Sequence, residues 1–154
     1  MGTNARQTQG GGFALYDDVT SSKVMEAGGT HRALIIKQLP IVGVVATTGG
    51  AILAWANPEN VPIIIDRVEI DVITKSTGAA NISVGTAANG TTSSANLIDT
   101  YAIGGTEKVV TNMDDKGTNG KSVQKMSLSQ FLTITGSATT AGLVATVNVH
   151  YYTT

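Results

Sequence analysis

Residues 63–74 read IIIDRVEIDVIT, and this stretch admits one regular conformation. Val68, Ile70 and Val72 alternate with Arg67, Glu69 and Asp71. Successive side chains of an extended chain point to opposite faces, so the alternation puts three aliphatic groups on one side and three charges on the other. Wound into a helix, the same residues would scatter around the circumference and leave no apolar stripe. The segment is a half-buried strand, and the rest of the chain must supply the core it faces.

Other segments repeat the pattern. NISVGT points Ile82 and Val84 inward, and FLTITGS sets Leu132 and Ile134 against Phe131, Thr133 and Thr135. GLVATVNVHYY lines up Leu143, Ala145, Val147, Val149 and Tyr151 on one face. LIIKQLPIVGVVA gives two short apolar runs broken by Pro40, and AILAWANPENVP gives a short strand followed by a turn at Asn57-Pro58-Glu59-Asn60. Between them lie TGAA, AANGTTSSAN, NMDDKGTNGKS and GSATTAG, each rich in Gly, Asn, Ser and Thr. No window carries a 3.6-residue apolar period, and only Ser93–Asp99 and Ser127–Phe131 have room for a single helical turn. Short strands joined by turn clusters predict an all-β fold, an antiparallel β-sandwich of jelly-roll-like form, over residues 31–154.

Residues 1–30 read differently. They are polar and glycine-rich, with one apolar island at Phe13-Ala14-Leu15-Tyr16. Such a segment buries too little surface to offset its ordering entropy, so it is expected to be a flexible N-terminal arm. It is read either as a plain disordered tail or as an arm that orders against a partner, with Phe13, Leu15 and Tyr16 as anchors.

Composition narrows the function. Hydrophobic residues are 42% of the 154 but aromatics only 5%, so the core is built from Val, Ile, Leu and Ala. Charged residues are 14% and the net charge is -1, which leaves no electrostatic footprint for nucleic acid. Weak self-repulsion of this sort suits a protein that works within an assembly. The chain has no cysteine, which excludes disulfides, zinc–thiolate sites and thiol catalysis. The start MGTNARQTQGGG has no apolar signal region, and Arg6 stands where a myristoylation site needs Ser or Thr. No apolar run approaches the length of a membrane helix.

Each cluster with chemical potential has a plainer explanation. Glu69 and Asp71 share a strand face about 7 Å apart, a spacing near that of a glycosidase pair, but Arg67 lies in the same row and a solvated face fits better. GTNGKS at 117–122 resembles the end of a phosphate-binding loop, yet Asp115 occupies the position of the required first glycine and no helix follows. Asp114, Asp115 and Asn119 lack the spacing of a calcium loop and read as a solvated turn. His31 and His150 have no acidic or histidine neighbour at ligand spacing, and His150 is expected on the exposed, polar face of the last strand. No G-x-S-x-G elbow exists. Asn81-Ile82-Ser83 and Asn89-Gly90-Thr91 fit the glycosylation triplet as chance matches in a Ser- and Thr-rich chain. Trp55, Tyr101, Tyr151 and Tyr152 offer either core packing or a sugar-stacking platform. The residues therefore point away from an enzyme, with no catalytic, cofactor or metal site.

The run GGAILAWANPENVPIIIDRVEIDVITKSTGAANISVGTAANGTTSSANLIDT carries the order NPEN, IDRVEIDV, TGA, VG and ANGTTSSANLID. In this it resembles auxiliary structural proteins encoded among the head genes of tailed bacteriophages. The likeness covers Gly49 to Thr100, with a looser echo in GSATTAGLVATVNVHYY. The resemblance implies a capsid decoration or cement protein, a small β domain bound to the capsid surface of a virion assembled in the host cytoplasm. It further implies the major capsid protein and neighbouring copies, in a homotrimer or other homo-oligomer, as partners. Nucleic acid, membrane and cofactor have no place in it. The arm (Arg6, Phe13, Leu15, Tyr16) and the loop (Thr91, Thr92, Ser93) would meet those partners. A tail or fibre protein, or a carbohydrate- or host-binding module on the same sandwich, are the alternatives.

Overall fold

A computed structural model describes residues 14–16, 24–26, 33–44, 50–104 and 109–154. Two short strands, β1 (Ala14–Tyr16) and β2 (Val24–Glu26), pair antiparallel as a sheet of their own, with Leu15 opposite Met25 and Tyr16 opposite Val24. Arg6 and Phe13, also expected to be partner contacts, lie outside the described residues, as does His31.

The main body comprises β3 (Ile35–Val42), β4 (Gly50–Ala56), β5 (Ile63–Thr74), β6 (Asn81–Ala87), β7 (Ile98–Ala102), β8 (Val109–Thr111), β9 (Gln124–Met126), β10 (Phe131–Gly136) and β11 (Val144–Thr153). They form two antiparallel sheets. One has the order β3-β11-β5-β8, with β9 also pairing β5, and the other has the order β4-β10-β6-β7. The pairing is nested: β6 with β7, β5 with β8 and β9, β4 with β10, β3 with β11. A long hairpin of paired strands folded over on itself gives this order, which is that of a jelly roll. The fold is the expected all-β sandwich. There is no helix among the described residues; Ser127–Phe131 closes as a turn in which Gln130 N–H donates to Ser127 O (3.1 Å).

The alternation in the sequence sets the core. Val68, Ile70 and Val72 are at most 6% exposed and meet Ile82, Val84, Leu132 and Ile134 of the other sheet in one cluster. Val147 and Val149 of β11 are fully buried in the same cluster. Aliphatic side chains fill it, and the tilted pair Trp55–Tyr151, ring centroids 5.6 Å apart, closes one end.

Pro40 does not break the first apolar run into two. β3 passes through it, with Pro40 opposite Thr146 of β11. An edge strand tolerates proline because one side of it has no ladder to donate to. Lys37 falls in the row of Ile35, Leu39 and Ile41, which faces the core, and is exposed at the edge. A proline and a charge in the inward row both discourage a foreign strand from adding to β3.

The opposite flank is sealed differently. β8 covers residues 69–71 of β5 and β9 covers residues 63–65, which leaves Val68, paired with Val149 of β11 on its other side, without a strand neighbour on this flank. Asn112, fully buried, replaces the missing ladder: its N–H donates to Val68 O (3.3 Å) and its Oδ1 accepts from Val68 N–H (2.7 Å). Its Nδ2 donates to Lys121 O (3.2 Å) and Ser122 O (2.8 Å), tying the 112–123 loop to the sheet. That loop then reaches the other sheet, where Asp99 N–H of β7 donates to Lys116 O (2.8 Å) and Lys121 N–H donates to Asn96 O just before β7 (3.1 Å).

Candidate functional site

The outer face of the β4-β10-β6-β7 sheet is built from small residues. Register places Ala51 opposite Thr135 and Ala54 opposite Thr133 on one side, and Ser83 and Gly85 opposite the same two threonines on the other. Thr133 and Thr135 alternate with core-facing Leu132 and Ile134, so they were expected to face water. They are buried instead, at 0% and 7% exposure.

The cover is the loop 88–97, which carries all of AANGTTSSAN but its first alanine. A Cβ on Gly85 would lie 2.5 Å from Ser94 Oγ and 2.6 Å from Asn96 Oδ1, so the loop lies directly on the backbone of β6. Ser93 and Thr135 share a hydroxyl–hydroxyl bond of 2.8 Å. Asn96 Oδ1 accepts from Thr86 N–H (2.9 Å) and its Nδ2 donates to the Thr86 hydroxyl (3.0 Å). Gly90 comes against Ala54, where an added Cβ would stand 3.0 Å from the alanine methyl. Small side chains are needed for this approach, and much of the loop's composition is explained by packing on its own sheet.

Where the loop ends, a shallow cavity of ≈ 310 Å³ opens between it and the edge strand β4. Ser83, Thr91, Ser93, Thr135 and Ser137 line it with hydroxyls, and Gly50, Ala51 and Gly136 form its remaining wall. No charged or aromatic side chain lines it. Two of the loop residues expected to meet a partner, Thr91 and Ser93, lie on this rim, and Thr91, Thr92 and Ser93 are all exposed. Thr91 and Thr92 both turn back to Asn89, each donating to its Oδ1 through backbone N–H and hydroxyl, at 2.8–3.0 Å. Hydroxyls held in this way give and accept hydrogen bonds with a polar neutral surface. None of them titrates near neutral pH, so they offer no general acid or base of their own.

The remaining candidates settle elsewhere. His150 is not on the surface: it is 8% exposed, with Nε2 3.7 Å from Glu69 Oε2, because the sheet brings β11 alongside β5. Glu69 thus pairs with a histidine across the strands, while Asp71 stays exposed. Residues 117–119 of GTNGKS form a turn held to Asp99. Asp99 Oδ2 accepts from Asn119 Nδ2 (2.6 Å) and Asn119 N–H (3.2 Å), and its Oδ1 accepts from the Thr100 hydroxyl (2.8 Å). The Thr100 hydroxyl, then the Asn119 side chain, hold the Asp99 carboxyl below the usual carboxylate range. Asn119 is therefore engaged away from Asp114, and Asp115 Oδ2 accepts from Thr111 N–H (3.2 Å). No group of three or more His, Cys, Asp or Glu able to hold a metal occurs among the described residues.

The aromatic platform is not assembled. Tyr151 is buried, and Trp55 and Tyr101 are half-buried against the core. The Tyr151 hydroxyl donates to Glu59 Oε1 (2.9 Å), anchoring the Asn57-Pro58-Glu59-Asn60 turn. Burial, followed by that hydrogen bond, pushes the Tyr151 hydroxyl up to about 12. Sequence reading missed the burial of Thr133, Thr135 and His150, and it missed Asn112. Alternation tells inside from outside only while nothing covers the outer face.

What these features define is a jelly roll with one outer face coated by its own small-residue loop and edged by a neutral hydroxyl-lined cavity. Set against known protein families, curated proteins and solved structures, the chain finds no match.

Proposed function

We propose that the chain is a non-enzymatic virion structural protein that binds and stabilises a tailed-phage capsid from its outer surface, as a decoration or cement protein. The observation that carries this reading is the exposed rim of Thr91, Thr92 and Ser93 beside a cavity lined by small uncharged residues, five of them bearing hydroxyls. A fold does not define a function, so the weight falls on that surface and on the sequence resemblance over Gly49–Thr100. Short hydroxyl side chains already fixed by internal hydrogen bonds lose little entropy on docking. A surface of net charge near zero meets a neighbour without long-range repulsion. A modest interface of this kind becomes strong through the many copies that a capsid presents. Loss of the aromatic platform to the core weighs against the sugar-binding alternative.

The test is particle binding by two variants. T91E places a carboxylate on the cavity rim at an exposed position and should abolish co-sedimentation with capsids while leaving the fold intact. Removal of residues 1–12 should weaken it. A folded T91E that still saturates the capsid surface would exclude the rim as the contact. Retained capsid binding with lost adsorption to cells would favour a host-binding module instead.

A further inference from the structure

We infer that Asn89–Gly90 is a spontaneous modification site, where the folded loop drives its own conversion of asparagine to aspartate and isoaspartate. The chain contains two Asn-Gly pairs, Asn89–Gly90 and Asn119–Gly120, and glycine leaves the attacking backbone nitrogen unshielded in both. In this reaction the Gly90 nitrogen, once deprotonated, attacks Asn89 Cγ and a new C–N bond closes a five-membered imide. The Cγ–Nδ2 bond breaks, and Nδ2 takes up a proton and leaves as ammonia. Water then opens the ring at Cγ to give aspartate, or at the main-chain carbonyl of residue 89 to give isoaspartate, whose chain runs on through Cγ.

The structure treats the two sites oppositely. Asn89 is exposed to water, and four donors converge on its Oδ1: the backbone N–H groups and hydroxyls of Thr91 and Thr92. Two of them are backbone N–H groups, which fixes this atom as the oxygen. Negative charge develops on that oxygen when Cγ is attacked, so the four donors act as an oxyanion hole. Nδ2, the leaving group, has no partner among the described residues. At Asn119 the leaving group is instead held: Nδ2 donates to Asp99 Oδ2 at 2.6 Å. The Asp99 carboxylate beside it opposes a developing anion. Gly120 is also enclosed, since a Cβ there would fall 2.1 Å from Lys116 O and 2.4 Å from Leu97 O, leaving its backbone no freedom to swing.

Conversion has a structural consequence. Either product adds a negative charge next to the cavity rim, and isoaspartate adds a methylene to the main chain at residue 89, immediately before Gly90. The site stands independently of the capsid reading, because its readout is chemical. The test is prolonged incubation of the intact protein at mildly alkaline pH, followed by peptide mass mapping and isoaspartyl methyltransferase labelling. Asn89 should convert several-fold faster than Asn119, and faster in the folded chain than in urea. The T91V/T92V double variant, which loses both hydroxyl donors, should slow it several-fold. Conversion of Asn119 at an equal or greater rate, or a folded chain that reacts no faster at Asn89 than the unfolded one, would overturn the inference. The folded-against-unfolded comparison uses the unaltered chain, so it holds even if the double variant fails to fold.

Discussion

Replacing Asn112 with alanine should unseat the flank of the sandwich between β8 and β9. The side chain makes three hydrogen bonds, one from Val68 N–H and two to the carbonyls of Lys121 and Ser122. The two carbonyls lie in a partly exposed loop and can turn to water after the change. Val68 N–H cannot: Val68 and Asn112 are both 0% exposed, so that donor stays dry and unpaired. Leaving such a group unsatisfied costs ~1–3 kcal/mol, and losing the two loop bonds adds ~0.5–1.5 kcal/mol, so N112A should cost roughly 2–4 kcal/mol. Trp55 is the sole tryptophan and sits against the core, which makes its fluorescence a direct probe of urea unfolding. With a slope of ~1–3 kcal/mol per molar in urea, the midpoint should fall by about 1–2 M with the slope unchanged. N112D should be worse near neutrality, because it faces two carbonyls with a carboxylate. Burial would raise that carboxyl's folded pKa above its unfolded value near ~4, so the deficit should grow as pH rises from there and shrink in acid. An N112A midpoint within error of the unaltered protein would refute the claim that this side chain completes the β5 edge.

Four other substitutions test the packing and the buried tyrosine. G43A should cost ~3 kcal/mol or more, or prevent folding, because the added Cβ would sit 1.8 Å from Thr140 O, a backbone atom; G78A, whose nearest neighbour is a methyl 3.6 Å away, should melt within a few degrees of the unaltered protein. G85A should lift the 88–97 loop from β6 and raise amide exchange at Thr86, whose N–H bonds to Asn96 Oδ1, with little change across β5 and β11. Tyr151 has a folded pKa of about 12, above an unfolded value near ~10. Its contribution to stability is therefore complete below the unfolded value and is lost as pH rises through the folded one. Y151F should flatten that alkaline loss, measured as melting temperature against pH; an unchanged alkaline profile would show that Tyr151 does not carry it.

Much of this fold is legible in the chain because long strands repeat their alternation often enough to leave no second assignment. Residues 63–74 and 143–151 fix one sheet's inner face, and Ile82, Val84, Leu132 and Ile134 fix the other's. The three shortest late strands, β7, β8 and β9, escape such reading. β8 and β9 have three residues each, and they become strands because β5 offers them an edge. Pro40 reads as a break until its strand is known to lie at an edge. The candidate site was legible in part: the small, uncharged character of residues 88–96 marks them as a packing loop. That the first surface they pack on is their own sheet follows from Gly85 and Thr135, which lie distant in sequence from parts of the loop and next to it in space. Asn112 gives no local signal at all, since its role is to fill a gap between two strand pairings.

The most direct test of the proposed role is the number of copies bound per particle when the purified protein is added to tailed-phage capsids that lack it. Saturation at a fixed multiple of the capsid's symmetry, with a gain in resistance to heat or low salt, is the result expected of a neutral β domain that works by adhesion. Capsids that bind no protein at saturating concentration, or whose stability is unaltered when it is bound, would contradict that account.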